Sequence, residues 1–533
     1  MRVGVVVWVE GLTLKFRIVE GVRIDRGQLL KIIDGDKKFI LRVFDFKPES
    51  LLTPAEISRL SHRREHGEDV ILYDKSLRLY DTALATILCQ VEEDGIVHGP
   101  TSVPALFTEV EELDKVDLQQ LNLDDGDIVL GTVRSGHRAT DVRITIKGDA
   151  AFPHHILVCG VTGAGKSNLG KVLALSVLMN PEPKYSLVLF DSEGEYFKGS
   201  PPDQYGLAHV PESEVRLLYV TSSVDEPGRY TVTLNFEGDV IERSILMHPL
   251  EISYSQLHPL DFILTGDFTA PQEELLWLTW KVKRDDWLNF LLESPSSLIW
   301  RVLRKMIHIN TINTAKRKLK YMLGDGDIFK PEPLDTHLLQ TIVGSVGRGR
   351  VVIFDTPHAT EGEEKLLATV VARRIFSIYE EMKKSIPKEW SRLPYVLIMV
   401  EEAHKYLSRN PVGGSDFREN IFSIISKRGR KYKIGGLYIT QMPGELIEPV
   451  IRQSLTKRIL ALPTKPDYQK IIQYSPYLDE AEQEIKTLDR GEALLVSPPS
   501  GIRFAVPITI FDFNELVRYR LTEQPRQEVS MPI

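Results

Sequence analysis

The segment from His154 to Asn168 reads HHILVCGVTGAGKSN. An apolar run, Ile156 to Cys159, leads into Gly160, four further residues, then Gly165, Lys166 and Ser167. That spacing is the loop that cradles the phosphates of a nucleoside triphosphate. Its glycines let backbone N–H groups converge on phosphate oxygens, and the helix that follows presents the positive end of its dipole. Gly160, Thr162, Gly163, Ala164, Gly165, Lys166, Ser167 and Asn168 are therefore the candidate nucleotide-binding residues. Lys166 is expected to reach the β- and γ-phosphates and the Ser167 hydroxyl to ligate Mg2+, so ATP and Mg2+ are the expected cofactors.

Hydrolysis also needs a second metal-directed oxygen and a group that activates water. YVLIMVEEAH ends an apolar run with Glu401 and Glu402. Glu401 is assigned to the magnesium shell, a mild departure from the commoner Asp, and Glu402 to polarising the attacking water. Asp355, closing VVIFD, is the competing carboxylate, but no second acid follows it. Gln441, in YITQMP, is placed to sense the γ-phosphate and orient water. SKRGRKYK carries Arg428 and Arg430, either of which could neutralise transition-state charge; a solvated helix end is the plainer reading of the same run. DSEGEY, Asp191 to Tyr196, reads equally as a turn or as a part of the site. The pairs His62/His66 and His154/His155 read as ordinary histidines, not metal ligands.

These groups need a scaffold of alternating strands and helices. The P-loop helix, the strand YSLVLFD, the strand RVVIFD, the helix EEKLLATVVARRIFSIYEEMKK, the strand YVLIMV, the helix FRENIFSIISKRGRKYK and the strand IGGLYIT alternate as a doubly wound parallel sheet does. Residues 1–147 read instead as a small β-barrel with a helical insertion, in which Thr53 caps a helix begun by Pro54. The strand patterns GDIVLGTVRSG and DVRITIK are counted with that barrel. Within the ATPase region, 148–510, a long interruption at about 197–348 is expected to be a helical subdomain rather than a structureless loop. Residues 511–533 read as a C-terminal arm whose last ten residues look flexible.

Of the 533 residues, 42% are hydrophobic, enough for a sizeable core, and the net charge of −8 leaves nucleic-acid binding to local basic segments. Lys316, Arg317, Lys318 and Lys320 are such a segment, although a solvated helix face explains them as well. Two cysteines, Cys89 and Cys159, cannot build a disulfide framework and suit a reducing compartment. No apolar run reaches the ~18 residues that a membrane span requires, and the start lacks a signal-peptide pattern. A cytoplasmic protein without autonomous membrane insertion is expected.

Taken in order, HHILVCGVTGAGKSN, VLFDSEGEY, VVIFD, VLIMVEEAH and GRKYKIGGLYITQMP resemble the motifs of the HerA family of DNA-translocating ATPases, themselves similar to the chromosome pump FtsK. The N-terminal region, including RGQLLKI at Arg26 to Ile32, resembles that family's HAS barrel, and the likeness spans roughly 1–515. The resemblance implies an α/β, RecA-like P-loop ATPase core with a helical insertion behind a HAS-like barrel. It implies a hexameric ring around double-stranded DNA and a NurA-type nuclease as partner in DNA end processing. It gives Lys166, Ser167, Glu401, Glu402, Gln441 and an arginine of 428–430 the corresponding ATPase roles. A ring is also expected on independent grounds. The chain holds one P-loop, and the about 130 residues after Glu402 are too few for a second ATPase lobe, so an arginine must come from another copy. The expected function is thus an ATP-driven double-stranded DNA translocase. A conjugation-type DNA pump and a non-motor ATP-dependent switch are the alternatives.

Overall fold

The computed structural model describes residues 1–69, 72, 74–92, 95–200, 204–408 and 419–522. Seven strands come first: β1 Arg2–Glu10, β2 Thr13–Ile18, β3 Leu29–Asp34, β4 Lys37–Ser50, β5 Leu79–Val91, β6 Val97–His98 and β7 Glu109–Glu112. They pair in the order β2-β1-β7-β3-β4-β5-β6, and β2 also pairs antiparallel with β5, which closes six of them into a barrel. Alternation fills its interior with Val3, Val6, Leu14, Phe16, Leu30, Ile32, Phe39, Leu41, Val43, Ala83, Ala85, Ile87 and Val110. Between β4 and β5 stands the helix Pro54–Glu65. Thr53 and Glu56 close a capping box at its start, and none of its residues is buried.

The strands β8 Ile128–Ser135 and β9 Arg138–Ile146 do not join the barrel. β8 pairs antiparallel with β22 (Ile502–Ile510) and β9 completes the far edge of a second, thirteen-stranded sheet. Alternating apolar residues make a hairpin equally fit for either sheet. Long-range pairing decides between them, and Gly131 shows how tightly: a Cβ there would lie 2.0 Å from the Thr509 carbonyl oxygen.

The other strands of the large sheet are β10 Ile156–Cys159, β11 Tyr185–Asp191, β12 Leu217–Thr221, β13 Gly228–Phe236, β14 Asp239–Pro249, β17 Val351–Asp355, β18 Tyr395–Val400, β19 Ile434–Thr440, β20 Thr456–Ile459 and β21 Glu492–Ser497. The order is β13-β14-β12-β17-β11-β18-β19-β10-β20-β21-β22-β8-β9. From β14 to β20 all neighbours run parallel. Both faces are covered, so β10 and β11 are buried along their whole length. Leu157 and Cys159 face one core, Ile156 and Val158 the other. Two short strands, β15 Ile252–Ser253 and β16 Phe329–Lys330, pair separately.

The interruption at 197–348 is helical only in its second part. β12, β13 and β14 occupy 217–249 and extend the sheet; of these, GRYTVTLNF along β13 alternates with period two. Helices follow from Pro259 to Gly347, among them Ala270–Lys283 and Ile309–Leu323. They dock on the helix Glu361–Ser385, where Arg373 grips the buried Asp261 through two nitrogens at 2.5 and 3.0 Å. The arm begins as a helix, Phe513–Thr522, packed through Phe513 and Val517 onto the ATPase core. The expectation of flexibility beyond it falls outside the described residues. Among those residues no helix is long and apolar enough to cross a membrane.

Candidate active site

The P-loop leaves β10 between β19 and β20, and its helix, Lys166–Met179, starts at once. The glycines serve two purposes. Gly163 and Gly165 have φ of +80° and +104°, which side-chain-bearing residues rarely adopt. Gly160 lies so close to β20's end that a Cβ would meet the Leu460 Cβ at 2.8 Å. No side chain caps the helix start, so the amides of its first turn are free to bind phosphate oxygens. The loop is held from below: Val161 N–H donates to Ala461 O at 3.0 Å, and Gly491 N–H donates to Ala164 O at 3.2 Å. Lys166 Nζ donates to the Val161 carbonyl at 2.9 Å across the loop. Burial pulls the Lys166 ammonium below its ordinary pKa, and the charges of Glu402 and then Glu401 oppose that pull. Lys166 and both glutamates therefore share one electrostatic neighbourhood.

β18 delivers Glu401 and Glu402 just beyond its last residue, and β19, which lies between β18 and the P-loop strand, delivers Gln441. Glu402 has φ of +46°, a strained conformation for a glutamate. Gln441 Nε2 donates to Glu402 Oε1 at 2.7 Å, and Gln441 Oε1 accepts from Thr162 Oγ1 at 2.5 Å. A chain of hydrogen bonds thus joins the tip of the P-loop to the second glutamate. His404 Nδ1 lies 3.3 Å from Glu402 Oε2 and 3.3 Å from Thr440 Oγ1. Glu401 accepts at Oε1 from the Tyr196 hydroxyl at 2.5 Å. Burial pushes Glu401 up to about 7; the Tyr196 hydrogen bond opposes this, and Asp191, Glu195 and Glu402 reinforce it. The oxygens of Ser167 and Glu401, beside a loop of free amides, fit a magnesium-bound nucleoside triphosphate as a donor set.

Other expected residues are placed elsewhere. Asn168 uses both ends of its amide on the C-terminal segment, donating to Phe511 O at 2.8 Å and accepting from Phe513 N–H at 2.9 Å. Its side chain therefore ties the P-loop helix to the arm. Asp355 accepts from Thr221 Oγ1 at 2.8 Å, two strands further from the P-loop than Glu401. Arg428 pairs with Glu380 at 3.0 Å, and Arg430 is exposed. Both precede β19, whereas the P-loop meets the other end of that strand, where Gly160 N–H donates to Thr440 O. Seven residues of strand put them about 20 Å from their own phosphate loop. Of the basic insertion residues, Lys316 and Lys318 donate to Ser294 O and Asp267 O, leaving Arg317 and Lys320 exposed. His155 is buried, and His62 and His66 stack on an exposed helix. Sequence reasoning missed His404 and Tyr196 as the partner of Glu401. EEAH itself carried the first; only the DSEGEY segment hinted at the second.

The family described as "Helicase HerA, central domain" matches residues 128–375. The DNA double-strand break repair helicase HerA of Pyrococcus furiosus is 24% identical over 470 residues, covering 84% of this chain and 81% of its own. The protein of the same name from Saccharolobus solfataricus is 23% identical over 444 residues, covering 83% and 79%. Among solved structures, the plasmid coupling protein TrwB in complex with the non-hydrolysable GTP analogue GDPNP aligns with a TM-score of 0.46 and 13% identity, over 69% of this chain and 88% of that one. The chain is thus similar over most of its length to proteins named as HerA helicases, and its P-loop and paired glutamates share one electrostatic neighbourhood.

Proposed function

We propose that the chain is an ATP-driven translocase on double-stranded DNA that works as a closed, sixfold-repeating ring of identical subunits in the cytoplasm. In that role it feeds DNA ends to a separate NurA-type nuclease for resection. The observation that carries the reading is the split placement of the hydrolytic groups. Lys166, Glu402 and Gln441 gather at one end of β19, and Arg428 and Arg430 stand at the other. An arginine so far from its own phosphates can serve only the site of a neighbouring copy, which makes every site an interface and favours a closed ring. The names of the relatives, double-strand break repair helicases, supply the DNA and the repair context.

In this reading Lys166 exchanges the Val161 carbonyl for phosphate oxygens, and the first-turn amides bind the same group. Ser167 and Glu401 would hold Mg2+, which supplies charge neutralisation on the phosphates when bound. Glu402, with its negative charge and exposed edge, orients and polarises the attacking water. Gln441 holds Glu402 and Thr162 at once, so movement of the loop tip on nucleotide entry is felt by the base. The arginine of a neighbour completes the charge shell, which couples hydrolysis to subunit movement.

The test is ATP hydrolysis with and without linear double-stranded DNA, on the wild type and on Glu402→Gln. The expected result is strong stimulation by DNA that the substitution abolishes. Hydrolysis indifferent to DNA would overturn the translocase reading, and a fully active Glu402→Gln would overturn the assignment of the base.

A further inference from the structure

We propose that Tyr196 is a positioning residue for hydrolysis, holding the Glu401 carboxylate at the angle the nucleotide site requires. The inference rests on the reading of Glu401 above and extends it to a residue just past β11, three strands from the P-loop strand. Three features build the contact. The Tyr196 hydroxyl donates to Glu401 Oε1 at 2.5 Å, and the ring is only 1% exposed. The turn that carries it is fixed by Asp191, whose two carboxylate oxygens accept from Glu195 N–H at 3.0 Å and from Tyr196 N–H at 2.8 Å. Leu207 N–H then donates to the Tyr196 carbonyl at 2.8 Å. Finally, the P-loop helix makes room. At Gly170, three residues past Ser167, a Cβ would sit 2.6 Å from the Tyr196 hydroxyl oxygen and 2.9 Å from the Met399 terminal methyl carbon. The glycine lets the phenol pass between that helix and β18 to reach the carboxylate.

This arrangement accounts for glutamate at a position where aspartate is commoner. One carboxylate oxygen is taken by the phenol while the other remains available, and the longer side chain spans both tasks. Asp191 acts at one remove, as the brace of the turn. The phenol touches neither substrate nor metal donor other than Glu401, so its effect must pass through that carboxylate.

The experiment is a Mg2+ titration of ATP hydrolysis on Tyr196→Phe, Glu401→Gln and the double variant, with thermal melting as the control for folding. Tyr196→Phe keeps the ring and removes one hydroxyl. The expected result is an unchanged melting temperature with half-saturating Mg2+ raised about tenfold, within the 10- to 100-fold range of lost outer-shell partners. The double variant should match Glu401→Gln alone, because the phenol then has nothing to hold. A Tyr196→Phe protein with wild-type Mg2+ response beside an impaired Glu401→Gln would overturn the positioning role and leave the site reading intact. Wild-type hydrolysis by Glu401→Gln would overturn both. Losses that multiply in the double variant would show Tyr196 acting independently and would also overturn the proposal. As a second route to the same contact, Gly170→Ala should displace the ring and raise the Mg2+ requirement in the same direction.

Discussion

Acid should loosen this protein through one histidine at the root of the P-loop strand. His155 immediately precedes β10 and is 2% exposed. Its Nδ1 accepts from Gly436 N–H at 3.0 Å, so the neutral ring carries its proton on Nε2, which donates to Ser426 O at 3.0 Å. Burial lowers its pKa from 6.5 to about 4; the Ser426 bond opposes the shift and His154 adds to it. A histidine whose folded pKa is depressed gives stability that is whole above its unfolded pKa. That stability is lost as pH falls toward the folded value. The full loss between pH 6.5 and pH 4 is about 2.5 units at ~1.36 kcal/mol each, or about 3 kcal/mol, of which about 2 kcal/mol has gone by pH 5. The assay is denaturant unfolding at pH 7.5 and pH 5 on the wild type and on His155→Asn. Asparagine tolerates the positive φ of +60° and can accept from Gly436, but it does not titrate. The other ionisable groups are common to both proteins. The wild type should therefore lose about 2 kcal/mol more than the variant between the two pH values. Equal losses would refute the reasoning, because the acid sensitivity would then lie elsewhere.

Three further outcomes are expected. Glu484 is buried between Arg134, at 2.8 Å, and Arg42 of the barrel, at 3.6 Å; Glu484→Gln leaves the buried Arg42 without its carboxylate and Arg134 with only Glu492 at 3.7 Å, and should cost about 3–5 kcal/mol in a denaturant melt. Gln441→Ala removes the link between Thr162 and Glu402 and should lower kcat on the order of 10²-fold, with the KM for ATP nearly unchanged in steady-state assays. Lys166→Ala subunits mixed with Arg428→Ala/Arg430→Ala subunits should regain hydrolysis that neither preparation shows alone, since mixed interfaces join an intact loop to an intact arginine; mixtures that stay inactive would place the arginines' role within one subunit.

The P-loop, its strand and the glutamate pair were legible because each is written in a few consecutive residues whose spacing has one physical use. The barrel was legible from its β-branched and aromatic runs between Gly and Asp. Three things were not. β8 and β9 alternate like barrel strands, and only pairing with β22 over more than 370 residues of chain assigns them. β20, Thr456–Ile459, reads TKRI and looks solvated, yet Lys457 and Arg458 are 1% and 0% exposed because the strand lies between β10 and β21. Lys457 is accommodated by donating to Ser454 O at 2.6 Å. The Tyr196–Glu401 contact joins residues 205 positions apart through the gap at Gly170, and no local pattern encodes such a gap.

The hairpin β8–β9 has a practical consequence for how the protein can be divided. A cut after residue 147 follows the change in sequence character, but it removes two strands from the sheet and bares the edge of β22, with Ile508 and Ile510 left unshielded. Unpaired apolar edges recruit other chains, so a motor fragment begun at 148 should aggregate rather than fold alone. The natural seam lies earlier, between the helix Lys115–Gln120 and the first residue of β8, Ile128. A fragment begun there keeps every strand of its sheet, but it bares the surface that Leu29, Ile40, Leu88, Cys89 and Val91 of the barrel cover, and Glu484 loses Arg42 while retaining Arg134.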